Sequence, residues 1–196
     1  MQAVCMQRMS NSDRTDRTRR ALLEVARELF VTKGYAETST PEIVSAAQMT
    51  RGALYHHFED KRALFRAVVE AEAMAVAAEI EAATPPNLAP REALRQGSMA
   101  YLRAMTTPGR TRLLLVEGPA VLGDELTQLD EENAARTLRE GIEAARSEGE
   151  ARSAVPTDIL AMLLSAAFDR AALAVSAGAD EGAMGEAMAE MIERLV

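Results

Sequence analysis

The chain is poor in the residues that carry most enzymatic and metal chemistry. It has no tryptophan, a single cysteine and two histidines among 196 residues. The lone thiol, Cys5, excludes an intrachain disulfide and reads as an inert thiol in a polar stretch. His56 and His57 are adjacent, so no His or Cys lies beyond residue 57 to build a zinc site. No Ser-His-Asp or Cys-His set can assemble there either, and no phosphate-cradling glycine loop is present. Paired acids such as Glu131-Glu132 read as a solvated helix face. The chain is therefore expected not to be an enzyme, with no catalytic residue, metal or cofactor. No apolar run approaches the ~20 residues that a bilayer-spanning helix needs. The N-terminal stretch lacks the continuous apolar segment of a signal peptide. A cytoplasmic location is the expectation.

What remains is helix-forming. Hydrophobic residues make up 48% of the chain while aromatics reach only 4%, so the core must be aliphatic. Alanine, leucine, glutamate, arginine and methionine dominate, all good helix formers. Period-two, β-branched runs are nearly absent, which excludes most sheet folds. The fold class is all-α. The net charge of −8 argues against a nucleic-acid partner, but its distribution reverses that. Residues 1–66 carry 11 basic and 8 acidic side chains, a balance of +3, and residues 67–196 carry 11 and 22, a balance of −11. A basic front on an acidic body fits a nucleic-acid-binding domain joined to one that is not. Three segments follow: a disordered tail over 1–13, a first domain over 14–66 and a larger helical domain over 67–196, with no flexible linker.

The stretch Ser39–Lys61 organises the first domain. Thr40 reads as an N-cap with Pro41 at the first helical position. Ile43, Val44, Ala46 and Ala47 give a short apolar face, and Gln48-Met49 break it. Thr50 is a second N-cap candidate for a helix over Arg51–Phe58. Two short helices and a tight turn make a helix-turn-helix, whose second helix can enter the major groove of DNA. Gly52 and Ala53 are small enough for close backbone approach. Leu54 and Phe58 share the anchoring face. Tyr55, His56 and His57 offer donors that suit phosphate oxygens. Arg51 is long enough for a guanine edge and Lys61 adds a phosphate donor. A structural helical hairpin with a solvated polar face explains the same residues without DNA.

Specific residues carry a family resemblance over about Arg17–Val69. They are an apolar helix ending in Leu29-Phe30, then Gly34-Tyr35, Thr38-Ser39-Thr40, Ile43 and Ala46-Ala47. Thr50-Arg51-Gly52-Ala53-Leu54-Tyr55-His56-His57-Phe58 follows, then Lys61 and Leu64-Phe65. This run resembles the DNA-binding domain of the TetR family of bacterial transcriptional regulators. One departure is Gln48-Met49, where the family commonly has a glycine and a small β-branched residue. The resemblance implies an N-terminal three-helix helix-turn-helix domain joined by a fourth helix to a larger ligand-binding and dimerisation domain, about nine helices in all. It implies DNA contacts from Thr40, Thr50, Arg51, Gly52, Ala53, Tyr55, His56, His57 and Lys61. It also allows Arg14, Arg17, Arg19 and Arg20 near the DNA backbone or minor groove, a solvated helix start being the other reading.

Apolar periodicity and breakers set the helices. Helix 1 spans about Asp16–Lys33 with Leu22, Leu23, Ala26, Leu29 and Phe30 as its core stripe. Helix 4 runs from near Asp60 to Ala83, where Pro85-Pro86 end it. The next spans Pro90–Thr106 with Leu94, Met99, Leu102 and Met105 inward. A short helix over Arg110–Val116 meets a buried turn at Gly118-Pro119, and a long helix fills Asp124–Gly149. The last two span about 156–177 and 181–194. The family implies that these two form a homodimer across a two-fold axis, a purely internal core being the alternative. It also implies a small-molecule pocket. Leu102, Met105, Leu114, Met162 and Phe168 are the expected walls, or else ordinary core. Arg103, Glu117, Asp169 and Arg170 are pocket polar groups or salt-bridge partners. The resulting expectation is a homodimeric repressor released from near-palindromic operator DNA by a largely apolar small molecule. The alternative is a helical small-molecule carrier or interaction adaptor that has lost DNA binding.

Overall fold

In a computed structural model, residues 11–126, 134–147, 149 and 153–196 are described, and every regular element among them is helical. The chain divides between Val68 and Val69 into two units. The first holds α1 (Asn11–Lys33), α2 (Thr40–Ala46), α3 (Arg51–His57) and the start of α4 (Lys61–Ala83). Helix α1 begins at Asn11, so residues 11–13 are helical rather than part of a disordered tail. Its core face brings Leu22, Ala26 and Phe30 to complete burial beside Ile43, Leu54, Leu64 and Phe65. Phe30 and Phe65 meet edge to face at 5.1 Å, and Tyr35 lies 4.9 Å from Phe65. Three of this unit's five Phe and Tyr rings thus meet where α1 and α4 face the loop between α1 and α2.

Two helix starts differ by a residue from expectation. The N-cap of α2 is Ser39, not Thr40, and its hydroxyl accepts from the Glu42 amide at 3.4 Å. Pro41 remains in the first turn, where its missing N–H leaves nothing unsatisfied. Asp60 opens α4 by accepting from the Ala63 amide at 2.7 Å.

The second unit contains the rest of α4, then α5 (Pro90–Met105), α6 (Arg110–Arg112), a π-helical turn (Leu113–Glu117) and α7 (Gly118–Leu122). Helices α8 (Ala134–Ser147), α9 (Thr157–Ser176) and α10 (Glu181–Leu195) follow. Helix α5 packs on α8, α9 and α10, and α9 also packs on α8 and α10. Buried positions on α5 are Leu94, Ser98, Leu102 and Met105 among others, whereas Met99 is exposed, a correction to its expected inward place. The expected break at Gly118-Pro119 is instead a widened turn that keeps the run helical. A Cβ at Gly118 would lie 2.7 Å from the Leu113 carbonyl oxygen, so only glycine fits there. The expected helix over Asp124–Gly149 is observed at both ends; residues 127–133, which include Glu131 and Glu132, lie outside the described residues, as does Cys5.

Helix α9 also corrects the absence of a long apolar run. It is 20 residues long and contains an 18-residue window of mean hydropathy 1.7, enough by length and composition to cross a membrane. It carries Asp169 and Arg170 mid-helix and packs on α5, α6, α8 and α10. Its outer face is nevertheless apolar: Met162 is 62% exposed and Leu163 56%.

Arg110 is the polar centre of this unit. It is only 5% exposed. Its Nε donates to Glu72 Oε2 at 2.9 Å and its Nη1 to Glu79 Oε1 at 2.9 Å. Glu72 and Glu79 are two turns apart on one face of α4. The same Nη1 donates to the Ala104 carbonyl at 2.7 Å, and the Thr111 hydroxyl donates to the Met105 carbonyl at 2.8 Å. The free carbonyls at the end of α5 are thereby satisfied. Glu72 is 8% exposed, so losing Arg110 takes the guanidinium away from a buried carboxylate. Replacing Arg110→Ala is expected to lower unfolding free energy in urea by about 3–5 kcal/mol. Glu79, whose side chain is 48% exposed, is expected to lose less than about 1 kcal/mol as Glu79→Gln.

Candidate nucleic-acid interface and effector cavity

The tight turn between α2 and α3 is closed by backbone bonds from Gln48 to the Ser45 carbonyl at 3.1 Å and from Met49 to the Val44 carbonyl at 2.9 Å. These bonds hold Gln48 at φ 54, the one non-glycine residue at positive φ among those described. The departure noted in the sequence thus occupies the conformation that favours glycine. Thr50 then caps α3 by accepting from the Ala53 amide at 3.1 Å. Leu54 is fully buried and fixes the helix to the core, with Phe58 as its C-terminal cap.

The remaining α3 side chains share the outer surface. Arg51, Gly52, Tyr55 and His56 are exposed, and Ala53 and His57 are half-buried. The Arg51 guanidinium lies 5.4 Å from the centre of the Tyr55 ring. Thr40, at the start of α2, and Arg51 both hydrogen-bond the Tyr55 hydroxyl and lower its pKa. Three residues expected to touch DNA are therefore joined to one another, and the joint braces α3 against α2. Burial first, then the nearby charges of His56 and Arg19, push the His57 pKa down, which keeps that ring neutral at neutral pH. Gly52 faces open space: an added Cβ would meet only the Thr50 hydroxyl oxygen, at 3.9 Å. Arg14, Arg17, Arg19 and Arg20 on α1 are exposed, and Arg19 stacks over Phe58 at 5.3 Å.

Lys61 departs from the expected outward phosphate donor. Its ammonium donates to the Tyr35 carbonyl at 2.8 Å and the Thr38 carbonyl at 3.0 Å, and it sits 4.2 Å from the centre of the Tyr35 ring. Placed in the first turn of α4, it reaches back over the aromatic cluster and holds the loop that leads into α2. Its loop partners are backbone carbonyls, which no residue-type pattern reveals.

The second unit contains a cavity of about 440 Å³. Its walls come from the end of α4 and the Pro85-Pro86 turn, and from α5, α8 and α9. Helix α8 approaches α5 closely at Gly141, where an added Cβ would lie 2.6 Å from Leu94 Cδ2. Of the five expected wall residues, only Phe168 lines this cavity. Leu102, Met105 and Leu114 are buried core, and Met162 is on the outer face of α9. The periodicity behind that expectation locates apolar faces but not which neighbour each one meets. Of the four charged residues left open, Asp169 lines the cavity. Glu117 pairs with Arg112 at 2.8 Å, and Arg103 and Arg170 are exposed.

Tyr101 was missed. It lies one turn beyond Gly97 on the cavity side of α5, and its hydroxyl donates to Asp169 Oδ1 at 2.5 Å. The sequence signal was present in the isolation of an acid within the apolar α9. Burial raises the Asp169 pKa, and the Tyr101 hydrogen bond opposes that rise. The Ser98 and Thr84 hydroxyls are turned onto their own helices, at Leu94 O and Ile80 O. Tyr101 and Asp169 thus form a hydrogen-bonded polar pair on a mainly apolar wall that also carries Thr137, Glu140 and Ser165.

Known proteins match this arrangement. Residues 22–68 match the family described as bacterial regulatory proteins, tetR family, and residues 91–196 match the tetracyclin repressor-like C-terminal domain. The chain is similar to the HTH-type transcriptional regulator AcrR of Shigella flexneri, with 38% identity over 101 residues, 50% of this chain and 46% of that protein. It is similar to the HTH-type transcriptional repressor BepR of Brucella suis biovar 1, with 31% identity over 103 residues, 50% and 47% of the two chains. The chain thus spans about half the length of the curated relatives it matches. A crystal structure of a TetR-family transcriptional regulator from Pectobacterium atrosepticum superimposes with a TM-score of 0.72 at 29% identity, covering 94% of each chain.

Two stability measurements follow from these sites. Gln48→Gly removes the penalty of a side chain at positive φ and is expected to stabilise by roughly 1 kcal/mol in urea. Asp169→Asn is expected to stabilise the protein at neutral pH. The folded pKa of Asp169 lies above its unfolded value, so its contribution is complete at low pH and is lost as pH rises through the folded pKa. The advantage of the asparagine variant should therefore be greatest at neutral pH, shrink as pH falls through the raised folded pKa and vanish below about 3.9, the ordinary aspartate value.

Proposed function

This chain belongs to the tetR family of bacterial regulatory proteins, and on that premise we propose that it is a homodimeric, DNA-binding transcriptional repressor, released from its operator by a small molecule. The observation that carries the DNA contact is Gly52. Glycine inside a helix is about 1 kcal/mol less favourable than alanine. Nothing among the described residues requires it here, since its Cβ position is open. The missing side chain makes sense where an outside partner approaches the backbone of α3. Beside it, Arg51 is held against Tyr55 and offers the paired donors that suit guanine. Thr40, Thr50, Tyr55, His56 and His57 complete the surface as phosphate contacts and braces. Lys61 belongs to the proposal as a positioning residue that holds the loop before α2.

The exposed apolar face of α9 supports a dimer. Ile159, Met162, Leu163 and Ala166 lie at helical spacing on that face. A second copy is the occupant we favour, because a two-fold axis pairs the same face of both chains. Two α3 helices would then read a near-palindrome. The cavity of the second unit is the proposed effector site. An effector that favours the form unable to bind the operator lowers DNA affinity by linkage.

The test is binding of the purified chain to labelled DNA from upstream of its own coding region, across a salt series. Two protomers per site and a steep salt slope are expected. Arg51→Ala should reduce discrimination between operator and random DNA by about 1–3 kcal/mol. Gly52→Ala should weaken operator binding while leaving the fold as stable or more so. Leu163→Glu should yield monomers in sedimentation and lose operator binding. Failure to select any DNA from genomic fragments would favour the carrier or adaptor reading. Full operator affinity in Gly52→Ala would remove α3 from the interface.

A further inference from the structure

The cavity wall has a one-sided charge. Among the described residues it carries two charged side chains, Glu140 and Asp169, both acidic, and no Lys, Arg or His. Glu140 is exposed and faces Arg136 at 3.5 Å, an ordinary surface pair. Asp169 has no such cation among the described residues. Its hydrogen-bond partner is the neutral Tyr101 hydroxyl, and burial disfavours its charged form. Asp169 is half-buried, whereas the fully buried Glu72 of this unit is matched by Arg110. The fold therefore neutralises the buried Glu72 carboxylate internally and leaves the half-buried Asp169 carboxylate at the edge of an open cavity.

A carboxylate withdrawn from water without a counter-charge destabilises the folded state unless something supplies one. The surroundings indicate what that is. Tyr101 and Phe168 stand with ring centroids 5.9 Å apart beside Asp169, and aromatic faces attract cations. Ile80, Leu94 and Leu138 line the same space and suit an apolar body. We infer that this cavity selects a lipophilic cation, with an amine or ammonium group against the Asp169 carboxylate and its apolar body held between Tyr101, Phe168 and the aliphatic wall. The same carboxylate rejects acids, because a ligand carboxylate would bring a second negative charge into a space with no base to receive it. This inference rests on the reading of the cavity as the effector site.

Three probes of similar shape and different charge test it: phenylbutylamine, phenylbutanol and phenylbutyrate, titrated calorimetrically into the full chain. The amine is expected to bind on the order of tenfold or more tighter than the alcohol, and the butyrate weakest. Asp169→Asn keeps the shape and should abolish the preference for amine over alcohol. A thermal melt of that variant, expected at or above the parent, separates lost selectivity from lost folding. Butyrate binding as tightly as the amine, all three binding equally, or an unchanged preference in Asp169→Asn would overturn the inference and leave the effector site standing. No binding of any probe by a chain that still holds operator DNA would overturn the effector site and the inference together.

Discussion

The second unit is organised around one buried guanidinium. Arg110 satisfies a helix end and two acids at once, so α4, α5 and the helical run that follows share a single polar centre. A buried ion pair is a weak source of net stability, because desolvating the charges offsets most of their attraction. Its strength lies in specificity. The ion pair and the Arg110 bond to the Ala104 carbonyl tie α4 to the end of α5 in this register. That register brings Ile80 and Thr84 into the cavity wall with α5.

A similar logic holds in the first unit. Lys61 spends two of its donors on backbone carbonyls of the loop before α2, and its charge rests on the Tyr35 ring. The side chain acts through geometry, steadying the segment from which Thr40 reaches Tyr55. The surface of α3 is thus prepared from behind. Arg51 and Tyr55 hold each other, Thr40 joins them across the helix-turn-helix, and Leu54 anchors the whole to the core. A side chain restrained before a partner arrives loses less entropy on binding.

Asp169 and Gln48 are places where local stability is given up. One is a half-buried carboxylate with no counter-ion among the described residues, the other a side chain held at positive φ. For Asp169 the cavity beside it supplies a reason. For Gln48 the backbone bonds of the turn show how the conformation is enforced, and nothing in the structure explains why glycine is absent.

The sequence by itself determined the fold class, the helix positions to within a few residues and the members of the α3 surface. Each of these rests on local physics: breakers, caps, helical periodicity and the short signature Thr50–Phe58. Thr50 as a cap, Leu54 as an anchor and Pro85-Pro86 as a stop depend on neighbours a few residues away. The tertiary structure alone decided which face of each helix meets which neighbour. Met99 and Met162 fit apolar stripes as well as Leu102 does, yet they lie outside the core, and Tyr101 rather than Met105 borders the cavity. Arg110 reads as an ordinary basic residue and Lys61 as an outward phosphate donor until their partners arrive, for Arg110 from 38 residues away and for Lys61 from 23 and 26. Periodicity records that a face is buried. It carries no record of what buries it, because that depends on the packing of distant segments against one another.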